Sequence, residues 1–323
     1  MGAKTGIEWT DSTWNPFMGC SRVSEGCRHC YAERFARRLE SKPNYAGLTQ
    51  IVNGAAVWSG DLKEGSGDTW DAPFHWKKPR NIFVNSMSDL FHPKARLAGW
   101  ISRVLAVVAL APRHRFQVLT KRPELMLEFF QQFYSAEEWA ESLSTLRDED
   151  DIPLFGENAE CAIANAINGV LGDGHNVGWP MRNLWLGVSD EGNQHQRLDL
   201  LQQTPAAKRF VSFEPLIFDL GKVNLEHIDW VICGGESGPG ARPMHTDWAR
   251  SLRDQCVAAG VPFFFKQWGE WCDWDQLPED TAQRLDANGE TPTEGLLRVG
   301  KKAAEALLDG REWKEFPKTA ASC

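Results

Sequence analysis

The chain has 323 residues, 42% of them hydrophobic, with 28 glycines and 17 prolines, which excludes collagen-like and low-complexity readings and allows a core without covalent staples. Thirty-five basic residues against 44 acidic ones give a net charge of −9, which argues against indiscriminate binding to nucleic acid or anionic membrane and leaves only a local basic channel for such a partner. Eight cysteines are too few for a disulfide scaffold at this length, and there is neither a leader-like apolar stretch nor a run long enough to span a bilayer, so a cytoplasmic protein is expected.

Read in chain order, short β-rich runs alternate with turns and helical stretches. A first strand is expected at 7–9 or 13–14, and a second at 81–85. A helix follows with Leu97, Ile101, Val104, Leu105 and Val108 on one face. A third strand is expected at 115–119, after which Pro123 opens a helix in the favoured first position. Further strands are expected at 184–188, 209–213, 228–233 and 261–265. Strands alternating with helices imply a parallel sheet. The number of units favours an α/β fold of partial (β/α) barrel type over six or seven parallel strands, with a doubly wound open sheet as the alternative. The pattern is interrupted at 135–180, a helical insertion carrying the acidic run at 148–151 that serves either as surface decoration or as a lid. The barrel is assigned to 1–268. The Trp-rich and then polar remainder, 269–323, is assigned to a cap or extension that ends in a short helix over 301–308, stopped by Asp309 and Gly310.

Three of the cysteines fall between positions 20 and 30, in the pattern Cys20-x6-Cys27-x2-Cys30. Tyr31, Phe35 and Leu39 follow at helical spacing, so Cys27 and Cys30 lie at a helix N-terminus, where free N–H groups and the dipole favour thiolate. Three thiolates suit a [4Fe–4S] cluster that keeps one iron open for chemistry. A structural zinc, with His29 as the nearest fourth ligand, and packing cysteines with no metal are the alternatives.

Cys20, Cys27 and Cys30 followed by Tyr31-Ala32-Glu33 resemble the signature of a phage-associated family of radical-SAM-like proteins of largely unknown function. The likeness extends over most of the chain, through TWNP at 13–16, VNSMSDLF at 84–91, LTKRP at 119–123, SFEPL at 212–216, DWVICGGESG at 229–238 and FKQWG at 265–269. The sequence departs from the commoner radical-SAM motif in having six residues, not three, between its first two cysteines, and His29 in place of an aromatic residue before the third. The resemblance implies an enzyme with a [4Fe–4S] cluster and S-adenosylmethionine, fed by an electron donor, that forms a 5′-deoxyadenosyl radical and takes hydrogen from a substrate. The phage association points to a nucleotide or nucleic-acid base, and to the host cytoplasm if the gene is phage-borne. The alternatives are a metal-stabilised nucleic-acid-binding or repair-associated protein without radical chemistry, and an iron–sulfur electron-transfer protein.

Polar residues cluster at the expected strand C-termini, the functional face of parallel α/β folds. Gly234 and Gly235 allow close approach of a ligand. Glu236 is placed to accept from the cofactor's ammonium or ribose, and Lys121 or Arg122 to pair with its carboxylate. Ser189 joins this rim, and Glu214, held extended before Pro215, supplies an inward carboxylate. Asp89, His92 and Glu214 are the candidates to face substrate. Among 15 tryptophans, Trp14, Trp268 and Trp271 lie where they can stack on adenine or a nucleobase, and the run from His75 to Arg80 mixes cations with an aromatic as nucleic-acid surfaces do.

Overall fold

The structure, a computed structural model, describes residues 5–132, 180–288 and 295–318. The expected insertion therefore lies outside the described residues except for Pro180, as do Cys161 and Cys323.

All seven expected strands form, in one sheet: β1 (Ser12–Trp14), β2 (Asn81–Val84), β3 (Arg115–Thr120), β4 (Leu184–Asp190), β5 (Lys208–Phe213), β6 (Trp230–Gly234) and β7 (Phe263–Gln267). For the first strand, the chain uses the second of the two expected sites. The strands follow one another across the sheet in chain order. The sheet is parallel, with Thr13 opposite Phe83, Phe83 opposite Gln117, and Val231 opposite both Val211 and Phe263. A sequential order without reversal is that of a (β/α) barrel, not of a doubly wound sheet, so the fold is a partial barrel. β4 and β6 are buried along their whole length, which explains why they read as continuous apolar runs without alternation.

The chain divides into two compact units, the first comprising Met1–Val23, Ala32–Gly187 and Gln203–Lys208, the second Ser24–Tyr31, Val188–Gln202 and Arg209–Cys323. In the first unit, Trp14 packs edge-on against Trp70 and Phe116, and its indole N–H donates to the Thr69 carbonyl at 2.7 Å. α1 (Tyr31–Arg38) follows the third cysteine as expected, yet its buried residues are Ala32, Glu33 and Ala36, while Tyr31 and Phe35 are 53% and 46% exposed. α2 (Trp100–Leu110) buries Ile101, Val104, Leu105 and Val108. Leu97, expected on that face, is 88% exposed, because a separate short helix, Pro93–Leu97, ends there and Gly99 turns the chain at φ 70°. α3 (Pro123–Gln131) begins on Pro123 as expected.

In the second unit, α4 (Gln196–Gln203) follows β4, and α5 (Thr246–Ala259) is stopped by Gly260 in the left-handed region at φ 67°. The expected helix over 301–308 forms only across Lys301–Ala304. Leu307–Leu308 instead pairs antiparallel with Arg311–Glu312, around Asp309 and Gly310 at φ 54° and 71°. Two left-handed residues in succession make a hairpin turn whose twist matches its strands. Beyond it the chain lies along β7. Trp313 accepts from Phe265 N–H at 2.7 Å, Lys314 bridges Phe264 antiparallel, and Phe316 packs on Trp230 and Phe264. An edge that would otherwise offer unpaired backbone groups is covered. Among the described residues no helix is long and apolar enough to cross a membrane.

Candidate metal centre

Cys20 leaves a turn that only glycine permits. Gly19 sits at φ 103°, and a Cβ there would stand 2.2 Å from the Asp61 carbonyl oxygen. Gly19 N–H donates to Met87 O at 3.0 Å, which fixes Cys20 beside the loop after β2. That loop carries Asp89 and His92, and the loop after β3 brings Arg122.

Arg122 is only 6% exposed. Its Nη1 donates to Asp89 Oδ2 at 2.8 Å and to Cys20 Sγ at 3.7 Å, and its Nη2 to the carbonyl and the Oγ of Ser21, both at 2.8 Å. Asp89 accepts four hydrogen bonds: Oδ1 from Phe91 N and Thr120 Oγ1 (3.0 and 2.7 Å), Oδ2 from Lys121 N and Arg122 Nη1 (3.1 and 2.8 Å). A carboxylate has about four lone-pair sites, so Asp89 is saturated. His92 Nδ1 accepts from Lys94 N at 3.2 Å, capping the Pro93–Leu97 helix, and this puts the ring proton on Nε2, which donates to Ser21 Oγ at 3.0 Å. Burial, followed by the Arg122 charge, brings the His92 pKa down to about 4 against the opposing pull of Asp89, so the ring is neutral at pH 7. Asp89 and His92 therefore support Cys20 and its loop instead of facing substrate, and the guanidinium of Arg122 is taken up by the same support. Lys121, half-buried, gives its backbone N–H to Asp89.

A second carboxylate at the site in this unit was visible only as part of the motif. Glu33, buried on α1, takes both Nε and Nη2 of Arg22 (2.8 and 2.6 Å) and the Trp58 N–H (3.0 Å). It ties α1 to the irregular segment after Cys20 and to the hairpin of Thr49–Val52 and Ala55–Trp58.

In the second unit, Cys27 ends a short 3-10 turn, Glu25–Cys27, and Cys30 N–H donates to Cys27 O at 3.3 Å just before α1 begins. Ser24 Oγ stands 3.7 Å from Cys27 Sγ and donates to Glu191 Oε1 at 2.6 Å. Glu191 is fully buried and paired with Arg197, whose Nη1 lies 3.1 Å from Oε2. Gly26 lies flat on this carboxylate, for a Cβ there would come within 2.2 Å of Glu191 Oε1. Ser24, Gly26, Glu191 and Arg197 were not singled out from the sequence. Ser24 and Gly26 meet Glu191 across more than 160 positions, and Arg197 pairs with it from six positions away, so no local pattern announces the group.

The expected cofactor rim is mostly occupied by its own structure. Glu236 is buried and takes Arg242 on both oxygens, at 3.0 and 2.7 Å, while Arg242 also reaches the Glu25 carbonyl at 3.2 Å. Gly235 makes room for protein, not ligand, since a Cβ would stand 1.7 Å from the Trp268 carbonyl oxygen. Ser189 is buried and donates to Glu214 O at 3.1 Å. Glu214 is ion-paired with Lys266, and both remain partly exposed, with Gly234 alongside at ordinary contact distance. This pair keeps hydrogen-bonding capacity to spare. Of the tryptophans, Trp14 and Trp268 are buried in packing, and half-buried Trp271 gives its N–H to Ala241 O at 2.7 Å. In the basic run, Arg80 stacks on buried Trp76 and donates to Ser12 Oγ at 2.9 Å, bracing β1.

The three motif cysteines are half-buried thiols outside any disulfide, whereas Cys233, Cys256 and Cys272 are fully buried thiols. Burial holds the thiols of Cys233 and Cys256 far above the ordinary range and brings Cys272 to about 12. Those three are packing residues. Among the described residues no three His, Cys, Asp or Glu side chains converge closely enough to hold a single metal ion. Taken singly, each motif sulfur has surroundings that suit a thiolate donor: Cys20 faces a guanidinium, Cys27 a hydroxyl, and Cys30 stands at the start of a helix.

No curated protein and no solved structure matches the chain. A family model does match, over residues 4–317, and the chain belongs to that family, DUF5131, described as a protein of unknown function.

Proposed function

We propose that the protein is a radical S-adenosylmethionine enzyme in which Cys20, Cys27 and Cys30 hold a [4Fe–4S] cluster with one open iron. The observation that carries the reading is the buried guanidinium of Arg122 set against the Cys20 sulfur at 3.7 Å, an arrangement suited to a thiolate and wasteful for a packing thiol. Held by Cys20, Cys27 and Cys30, such a cluster would supply the one electron for cleavage of the C–S bond of S-adenosylmethionine to methionine and a 5′-deoxyadenosyl radical able to take hydrogen from substrate.

The chain's own part is to bind and orient. Glu214 and Lys266, at the ends of β5 and β7 beside Gly234, are the rim residues with capacity left to meet the cofactor's ribose hydroxyls or its amino-acid portion. The substrate we favour is a nucleotide or nucleic-acid base. The electron comes from a low-potential one-electron donor in a reducing, cytoplasmic setting.

Anaerobic reconstitution tests this. We expect four irons per chain, a spectral change on adding S-adenosylmethionine, and release of 5′-deoxyadenosine with dithionite by the wild type but not by Cys27→Ala. One tightly held zinc with no iron overturns the proposal, as does equal release by both proteins.

A further inference from the structure

Arg122 is charged at every working pH and cannot give up its proton. It is held in place by a carboxylate with no acceptor site to spare, by both oxygens of Ser21, and by the burial of the whole group. Its remaining Nη1 proton points at Cys20 Sγ. Cys27 is treated differently. The Ser24 hydroxyl, 3.7 Å from its sulfur, already donates to the buried carboxylate of Glu191. Of these two sulfurs, one faces a cation and the other a hydroxyl already given to an anion.

We infer that Arg122 is a positioning residue that sets how readily the metal centre accepts its electron, with Asp89 as the anchor that aims it at Cys20. The inference rests on the cluster reading above. One-electron reduction of a [4Fe–4S] cluster from the 2+ to the 1+ state adds a negative charge that is shared with the ligand sulfurs. A fixed guanidinium beside one of those sulfurs stabilises the reduced form more than the oxidised one, and a charge in a dry, low-dielectric setting acts more strongly than one in water. Hydrogen bonds to cluster sulfurs and local charge are among the levers by which a protein sets the potential of such a centre. A lysine in place of Arg122 would keep the charge but could not serve Asp89, Ser21 and Cys20 at once, because it lacks the planar fork.

The test uses the full chain with Arg122→Gln and Arg122→Lys. In the reconstituted proteins, redox titration followed by electron paramagnetic resonance should show the reduced-to-oxidised ratio at a fixed potential falling at least tenfold in Arg122→Gln, a shift of about 59 mV for a one-electron couple. Arg122→Lys should fall between that variant and the wild type. The metal-free proteins supply an independent readout. Iodoacetamide at neutral pH, with peptide mass spectrometry, should alkylate Cys20 several-fold more slowly in Arg122→Gln than in the wild type, with Cys27 unchanged.

An unchanged potential in Arg122→Gln with its cluster intact overturns the inference and leaves the enzyme reading standing. A wild type that takes up no iron overturns the enzyme reading, and the role of Arg122 in setting the centre falls with it; the alkylation rates then show whether the cation acts on Cys20 at all. If Arg122→Gln cannot retain a cluster, equal alkylation of Cys20 in variant and wild type overturns the inference.

Discussion

At the scale of single residues, the candidate centre is surrounded by ionisable groups whose work is to hold other groups still. His92 illustrates the cost of such service. Its ring accepts from Lys94 N–H and donates to Ser21, close to Arg122 and Asp89, and burial with the Arg122 charge lowers its pKa to about 4. Protonation is thus easier in the unfolded chain, where the pKa is about 6.5. The stability this ring contributes is complete above pH 6.5, is lost as pH falls from there toward 4, and changes no further below. We expect a loss on the order of 2–3 kcal/mol across that window. Denaturant midpoints measured from pH 7 to pH 4 should show it, and His92→Gln should flatten that part of the profile. An equal slope in both proteins would remove His92 as its source. At this scale the sequence was a poor guide to role. A carboxylate at a strand end looks the same whether it faces substrate or is saturated, and the partner that decides it stands 33 positions away for Asp89 and six for Glu236.

At the scale of elements, the strands were legible because runs such as Phe210-Val211-Ser212-Phe213 and Val231-Ile232-Cys233 are rich in β-branched and aromatic residues and buried on both sides. The helix expected over 301–308 was not, since Asp309-Gly310 can stop a helix or turn a hairpin, and pairing with Arg311–Glu312 decides between them. The tandem glycines after β6 separate packing from ligand access in the same way. A Cβ on Gly235 meets the Trp268 backbone carbonyl, which cannot swing aside as a flexible side chain does, whereas a Cβ on Gly234 meets only ordinary contacts at 3.5 Å. Gly235→Ala should therefore cost more than about 3 kcal/mol or prevent folding. Gly234→Ala should stay within about 1 kcal/mol of wild type. Thermal or chemical unfolding of the two variants side by side checks this, and matching losses would show that the two turns are not in backbone contact.

At the scale of the whole molecule, the order of strands was readable from the alternation of strand and helix. The division of the chain into two units was not, because it follows contacts and not composition: the 24–31 segment, which carries Cys27 and Cys30, belongs with residues far along the chain, whereas Cys20 belongs with the first unit. The second unit depends on its last described segment, which pairs with β7 and lays Phe316 on Trp230 and Phe264. A chain shortened after Glu312 should lose about 1–3 kcal/mol, less than the removal of a fully buried aromatic because Phe316 is 45% exposed, and should self-associate through the bared edge of β7. Light scattering behind size exclusion reads the association directly. A monodisperse, equally stable truncation would mean that the edge needs no cover.

The buried tryptophans carry one more consequence, an optical one. Trp14 and Trp70 sit in the packing of the first unit, Trp230 and Trp268 in that of the second, and Trp14, Trp230 and Trp268 each donate an indole N–H to a backbone carbonyl. Indoles so shielded emit at short wavelength and shift to the red when water reaches them. Intrinsic fluorescence thereby carries a short-wavelength component from each unit, and exchanging one pair for phenylalanine removes that pair's share from the emission of the 15 tryptophans.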